Sequence, residues 1–244
     1  MIVFLHGVPE TAVIWRKVRD TIGRESVALE LPGFGCPRAP GFAATKEAYL
    51  GWLLDRFAEI DEPVDVVGHD WGAALTYGLA LRHGGAVRSW AADVANLMHP
   101  DYEWHAFAKV WQTPGEGEAF VESQNAQSVE ERAGGFEAIF GLDHDDAVEM
   151  AAGSDADMGS CILDLYRSAT PNPYAHWGPL APTAAPGMVL HPTADPFGDA
   201  VMAEEVAGLV GARFEPLEGA GHFWPYSAPD LGARALESFW ATLD

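Results

Sequence analysis

Val64-Asp65-Val66-Val67-Gly68-His69-Asp70-Trp71-Gly72-Ala73-Ala74 decides the fold. A short apolar run ends in a glycine, and a helical pattern from Gly72 to Arg82 follows at once. Gly68-His69-Asp70-Trp71-Gly72 is the small-x-nucleophile-x-small arrangement of a strained strand-to-helix turn. The glycines are required because a side chain at either position would strike the neighbouring strand or helix. The turn pushes residue 70 over the carboxyl edge of a parallel sheet, where ligands bind in such folds. That residue is Asp70, and a carboxylate with a reference pKa of about 3.9 is already ionised at neutral pH. It can attack without a base, and the helix amino terminus favours its charge. Aspartate is also a common helix N-cap, so the turn alone leaves two roles open.

Working outward, further apolar runs read as strands buried on both faces: Ile2 to Leu5, Ser26 to Leu31, Val87 to Ala95, Gly187 to Leu190 and Arg213 to Leu217. Between them, helical spacing is found over Ala12 to Ile22, Thr45 to Ile60, Asp199 to Val210 and Leu231 to Leu243. Such alternation predicts a mostly parallel, doubly wound α/β domain. It breaks between about Leu97 and Pro182, a stretch that is aromatic, acidic, helical and closed by a proline-rich connector. The expected organisation is therefore a core of residues 1–96 and 183–244 with a helical cap at 97–182 inserted into it.

A carboxylate that forms a covalent ester needs a base to hydrolyse it. His222, in Glu218-Gly219-Ala220-Gly221-His222-Phe223 after the last strand, has the residue type whose pKa lies near neutrality. The histidine needs an acid to fix its tautomer. Asp195 follows the Gly187–Leu190 strand, and the order Asp70, Asp195, His222 suits a nucleophile–acid–histidine set. Asp93, near the end of the Val87–Ala95 run, is the second candidate acid. The first strand ends in His6-Gly7-Val8-Pro9-Glu10, so the backbone N–H of Val8 and that of Trp71 could form an oxyanion hole. Leu31-Pro32-Gly33-Phe34-Gly35 reads as a turn without chemistry.

The bulk numbers exclude several functions. The chain has 244 residues, 48% hydrophobic and 20% charged, which suits a globular protein. A net charge of −22 argues against nucleic acid and anionic membrane surfaces as partners. No apolar run reaches the length of a membrane span, and MIVFLHG lacks the features of a signal peptide. A cytoplasmic location is expected, and a homodimer is left open. Cys36 and Cys161 share no motif and read as reduced packing residues. No HxxxH or HExxH pair is present, so neither a metal nor another cofactor is expected.

Taken together, HGVPE with Trp15 downstream, LPGFG, GHDWGA, Asp195 and His222 resemble the epoxide hydrolase and haloalkane dehalogenase branch of the α/β-hydrolase superfamily. The resemblance spans residue 2 to about 225, although the chain starts almost on the first parallel strand, without the antiparallel strands usual there. It implies a hydrolase acting on a small apolar electrophile. Asp70 attacks carbon to form an alkyl-enzyme ester, and His222 activates the water that hydrolyses it. An epoxide oxygen needs a proton donor from the cap. Tyr166, in Leu163-Asp164-Leu165-Tyr166-Arg167, looks like the family's lid tyrosine, and His105 stands near the first lid donor, with Tyr102 and Trp104 as substitutes. A departing halide needs N–H donors. Trp71 offers an indole there, but Val8 stands where dehalogenases often have asparagine. Fluoroacetate dehalogenation fits less well, because Trp71 occupies the place of an arginine. The expectation is thus an epoxide hydrolase, with dehalogenation as the alternative. A hydrolase-fold binder without turnover is disfavoured because it has no need of all three residues of the set.

Overall fold

The computed structural model describes residues 1–243. Among them, six strands form one parallel sheet in the order β2-β1-β3-β4-β5-β6. These are β1 (Ile2–Leu5), β2 (Ser26–Leu29), β3 (Asp65–Gly68), β4 (Ser89–Ala92), β5 (Gly187–Pro192) and β6 (Arg213–Leu217). The helices are α1 (Arg16–Ile22), α2 (Lys46–Phe57), α3 (Trp71–Arg82), α4 (Ala106–Gln112), α5 (Glu116–Asn125), α6 (Val129–Phe140), α7 (His144–Ala152), α8 (Ala156–Ser168), α9 (Pro173–Trp177), α10 (Ala200–Val210), α11 (Trp224–Ser227) and α12 (Pro229–Trp240). Helices α4 to α9 all fall between β4 and β5, the stretch where the sequence alternation breaks.

The central strands are buried along their length because helices cover both faces of the sheet. Along β1, Val3 and Leu5 enter one apolar layer with Leu50, Leu53 and Leu75. Ile2 and Phe4 enter the other, with Trp15, Trp224 and Trp240. Burying each such side chain contributes roughly 1.5–3 kcal/mol. Helix α3 is buried from Trp71 to Ala80, so its small residues let it lie close beneath the sheet edge. Among the described residues, no helix is long and apolar enough to cross a membrane.

Some boundaries differ from the sequence expectation for identifiable reasons. Strand β4 stops at Ala92, not Ala95, because Val94 adopts a left-handed conformation (φ 39°) and Asp93 turns its carboxylate back onto the Asp70 loop. The expected Ala12–Ile22 helix starts as a tight 3-10 turn, Ala12–Trp15, under a Thr11 cap. The last helix begins earlier than Leu231, since Pro229 stands in its first turn, where a missing N–H costs nothing. The short α11, just after His222, had no clear periodic signal.

Candidate active site

The site is built from loops at the carboxyl ends of β1, β3, β4, β5 and β6. At the β3–α3 turn, Asp70 has φ 50° and ψ −117°, a backbone conformation costly for a residue with a side chain. The glycines around it explain why the turn is possible. A Cβ on Gly68 would run into Gly72 and Thr76, and one on Gly72 into the backbone of Leu5 and His6. The side chain of Asp70 makes no capping bond to α3. Its Oδ1 instead accepts the Val8 N–H at 2.8 Å, so the N-cap role left open above is not the one adopted. Val8 is presented by His6, whose Nε2 accepts from the Leu31 N–H (3.2 Å) while its Nδ1 meets the Gly7 carbonyl (2.9 Å). Trp71 occupies the first turn of α3, where amide N–H groups lack intrahelical acceptors.

The β5 and β6 loops bring the other two expected residues together. Thr193 Oγ1 accepts from the Gly219 N–H, and Ala194 N–H donates to the Ala220 carbonyl, which ties the loops side by side. Asp195 Oδ2 then lies 2.9 Å from His222 Nδ1, while its Oδ1 accepts the Phe197 N–H at 2.8 Å. His222 Nε2 stands 4.0 Å from Asp70 Oδ2, too far for a hydrogen bond. Burial alone would disfavour the His222 cation, but the charge and hydrogen bond of Asp195 outweigh it and hold the imidazole above its ordinary value. Burial pushes the other way on Asp195, yet His222 and the Phe197 N–H keep that carboxyl low. Asp70 is pushed up to about 6, chiefly by burial and secondarily by Glu10, against the pull of His222 and His69.

Asp93, the second candidate acid, serves the elbow instead of His222. Its Oδ1 accepts the Asp70 N–H (3.0 Å), and its Oδ2 meets His69 Nδ1 (2.5 Å) and the Trp224 indole N–H (2.7 Å). His69 Nε2 lies 3.1 Å from Glu10 Oε1, and Glu10 Oε2 accepts the Gly7 N–H. Burial opposes a charge on His69, but the flanking Asp93 and Glu10 carboxylates raise it well above its ordinary value. Neither Glu10 nor His69 has a role that is legible in the sequence. Their only signal was position, inside the same two motifs that supply Val8 and Asp70. Donor atoms of Glu10, His69 and His222 lie within 4.8 Å of one another, although no local spacing marks them as a set.

A cavity of about 400 Å³ opens over Asp70 and His222. Val8, His105, Tyr166 and Phe197 are in its wall, with Phe140 and Trp111. Tyr166, on α8, packs edge-on to Trp71 with ring centroids 5.2 Å apart. Burial, and then the Asp70 charge, hold its phenol well above the ordinary value, so it stays a neutral donor. His105 caps α4, its Nδ1 accepting the Ala108 N–H at 3.3 Å, which leaves Nε2 as the protonated nitrogen. Burial, with help from the nearby His222 charge, lowers its pKa to about 4. Of the two substitutes, Trp104 commits its indole N–H to the Ala169 carbonyl (3.1 Å), and Tyr102 is not in the cavity wall.

The sequence profile of the Alpha/beta hydrolase family matches residues 2–235. The chain belongs to this family. Curated proteins similar to this hydrolase carry two activities in their names. Haloalkane dehalogenase of Bradyrhizobium diazoefficiens is 30% identical over 146 residues, 52% of this chain and 47% of that protein. Epoxide hydrolase 3 of Xenopus tropicalis is 32% identical over 107 residues, 41% of this chain and 28% of that protein. The match thus spans about half the length of the first relative and less of the second. Among solved structures, a protein from Pseudomonas aeruginosa described as a candidate epoxide hydrolase gives a TM-score of 0.78 at 20% identity, over 99% of this hydrolase and 88% of that chain. Haloalkane dehalogenase DbeA from Bradyrhizobium elkani gives 0.75 at 21% identity, over 99% and 89%. These structural likenesses establish the α/β-hydrolase fold expected from the motifs, while the named relatives divide between two leaving groups.

Proposed function

We propose that this hydrolase opens an epoxide to a vicinal diol through an ester on Asp70. Asp70 Oδ2, the oxygen not held by Val8, attacks an epoxide carbon as the carbon–oxygen bond breaks. The departing alkoxide takes a proton from Tyr166 or from Nε2 of His105. Water then attacks the ester carbonyl carbon while His222 Nε2 takes its proton, and the N–H groups of Val8 and Trp71 hold the oxyanion. Collapse releases the diol and restores the Asp70 carboxylate. The proton on His222 replaces the one lost by the donor, directly or through solvent. In this reading helices α4 to α9 are the cap, with 97–182 as its bounds, and residues 1–96 and 183–244 form the catalytic core.

One observation carries the reading: a carboxylate at the elbow shares one apolar cavity with a histidine held by a second carboxylate and with a neutral phenol. A serine hydrolase has no use for the first, and a ligand binder has no use for the set. Turnover in H218O tests it. One label on the Asp70 peptide after a single epoxide turnover is expected; label in the diol alone refutes an Asp70 ester.

A second reading, haloalkane dehalogenation through the same ester, is favoured by the Trp71 indole. That N–H is buried, its ring packs against Tyr166, and it has no well-aligned acceptor among the described residues. Halide release from a chloroalkane panel, lost in Trp71→Phe, is the outcome that would establish it.

A further inference from the structure

The two histidines behind and beside Asp70 are oriented in the same way. His69 directs Nδ1 to Asp93, and His222 directs Nδ1 to Asp195, so each aims Nε2 elsewhere, that of His69 at Glu10 Oε1 (3.1 Å) and that of His222 toward Asp70 Oδ2 (4.0 Å). One ligand atom from each of Glu10, His69 and His222 lies within 4.8 Å of the others. Glu10 Oε1 and His69 Nε2 are buried and, although 3.1 Å apart, form no well-aligned hydrogen bond. Two imidazoles, each backed by a carboxylate, and one carboxylate oxygen lacking a donor make the donor set of a three-residue zinc site with a fourth position open.

We propose that Glu10 Oε1, His69 Nε2 and His222 Nε2 form an inhibitory binding site for Zn(II). The donor chemistry selects the metal: two imidazoles favour zinc over magnesium or calcium, which take oxygen ligands. The distances allow it. Zinc bonds of about 2.0–2.2 Å put tetrahedral donor atoms roughly 3.3–3.5 Å apart. Glu10 and His69 are already at 3.1 Å, and the whole set lies within 4.8 Å. Only His222 has to close, by on the order of 1 Å, and its loop carries glycines at 219 and 221. His222 is in the cavity wall, so the ion reaches the buried pair from the cavity as this ring moves. Binding displaces the proton on His69 Nε2 to solvent and takes the nitrogen that His222 would use as a base.

The consequence rests on the proposed Asp70 ester: zinc takes the nitrogen that would activate water and so stops ester hydrolysis. Binding itself does not depend on that reading and is measured first. Chelator-washed protein is titrated with Zn(II) by calorimetry, and with Co(II) by visible absorption. We expect one equivalent, tetrahedral cobalt bands, and affinity at least about a hundredfold weaker in Glu10→Gln and in His222→Gln. The thermal unfolding midpoint of each variant shows that it is folded. Exposed His144, beside Glu137 and Glu130, is the competing surface site, and His144→Ala should leave the affinity unchanged. Unchanged binding in both folded site variants, or binding abolished by His144→Ala, overturns the proposal. The two readings fail separately. Site-dependent zinc binding with no adduct in the His222 variant would remove the Asp70 ester and keep the metal site. An adduct without site-dependent zinc binding would do the reverse.

Discussion

Asp195→Asn separates the two halves of the proposed reaction. In the native site Asp195 Oδ1 accepts the Phe197 N–H at 2.8 Å and Oδ2 receives the His222 Nδ1 proton at 2.9 Å. Asparagine has one acceptor oxygen. Keeping the Phe197 bond turns its NH2 toward His222, so Nδ1 must become an acceptor and the ring proton moves to Nε2. The base then faces water with its nitrogen already protonated. A positioned general base is worth typically 10²–10⁴ in rate, or about 3–5 kcal/mol, and that is the expected loss in ester hydrolysis. Alkylation needs only Asp70, still held by Val8, and should change by less than about tenfold. Rapid mixing with an epoxide should therefore give a burst of one equivalent followed by slow turnover, with kcat and KM falling together. Intact-protein mass should show the adduct. Equal slowing of both halves, or slow turnover without any adduct, would refute the tautomer argument.

Three further outcomes follow from the same geometry. In the proposed reaction Asp70 attacks as the anion, and its carboxyl is pushed up to about 6, so single-turnover alkylation should fall about tenfold per pH unit below pH 6. The hydrolysis step needs neutral His222, whose pKa is held above its ordinary value, so its rate should turn down at a higher pH than alkylation does; stopped-flow measurement of both steps checks the order. Tyr166→Phe removes a neutral donor from the cavity wall and should slow epoxide alkylation by roughly 10–100-fold while sparing any haloalkane activity, read by diol and halide assays. Gly72→Ala puts a Cβ on the backbone of Leu5 and His6 and should cost at least about 2 kcal/mol, seen as a fall in Tm of roughly 4–8 °C.

By itself the sequence determined the fold and singled out the three residues proposed as nucleophile, acid and base. Buried parallel strands need continuous apolar runs, and a strained elbow needs glycines at 68 and 72, so both leave local marks. Asp195 and His222 were legible for the same reason, since each follows a strand whose end must lie at one sheet edge. Three decisions belonged to the tertiary structure. Whether Asp70 caps its helix or faces a cavity depended on where the Val8 N–H arrives from β1. Which acid serves His222 depended on the tie between the β5 and β6 loops, while Asp93 went to His69, Asp70 and Trp224. The juxtaposition of Glu10, His69 and His222 comes from three separate loops. Hydrogen bonds and charge pairs act over a few ångströms in space, and the 152 residues between His69 and His222 carry no local trace of that approach.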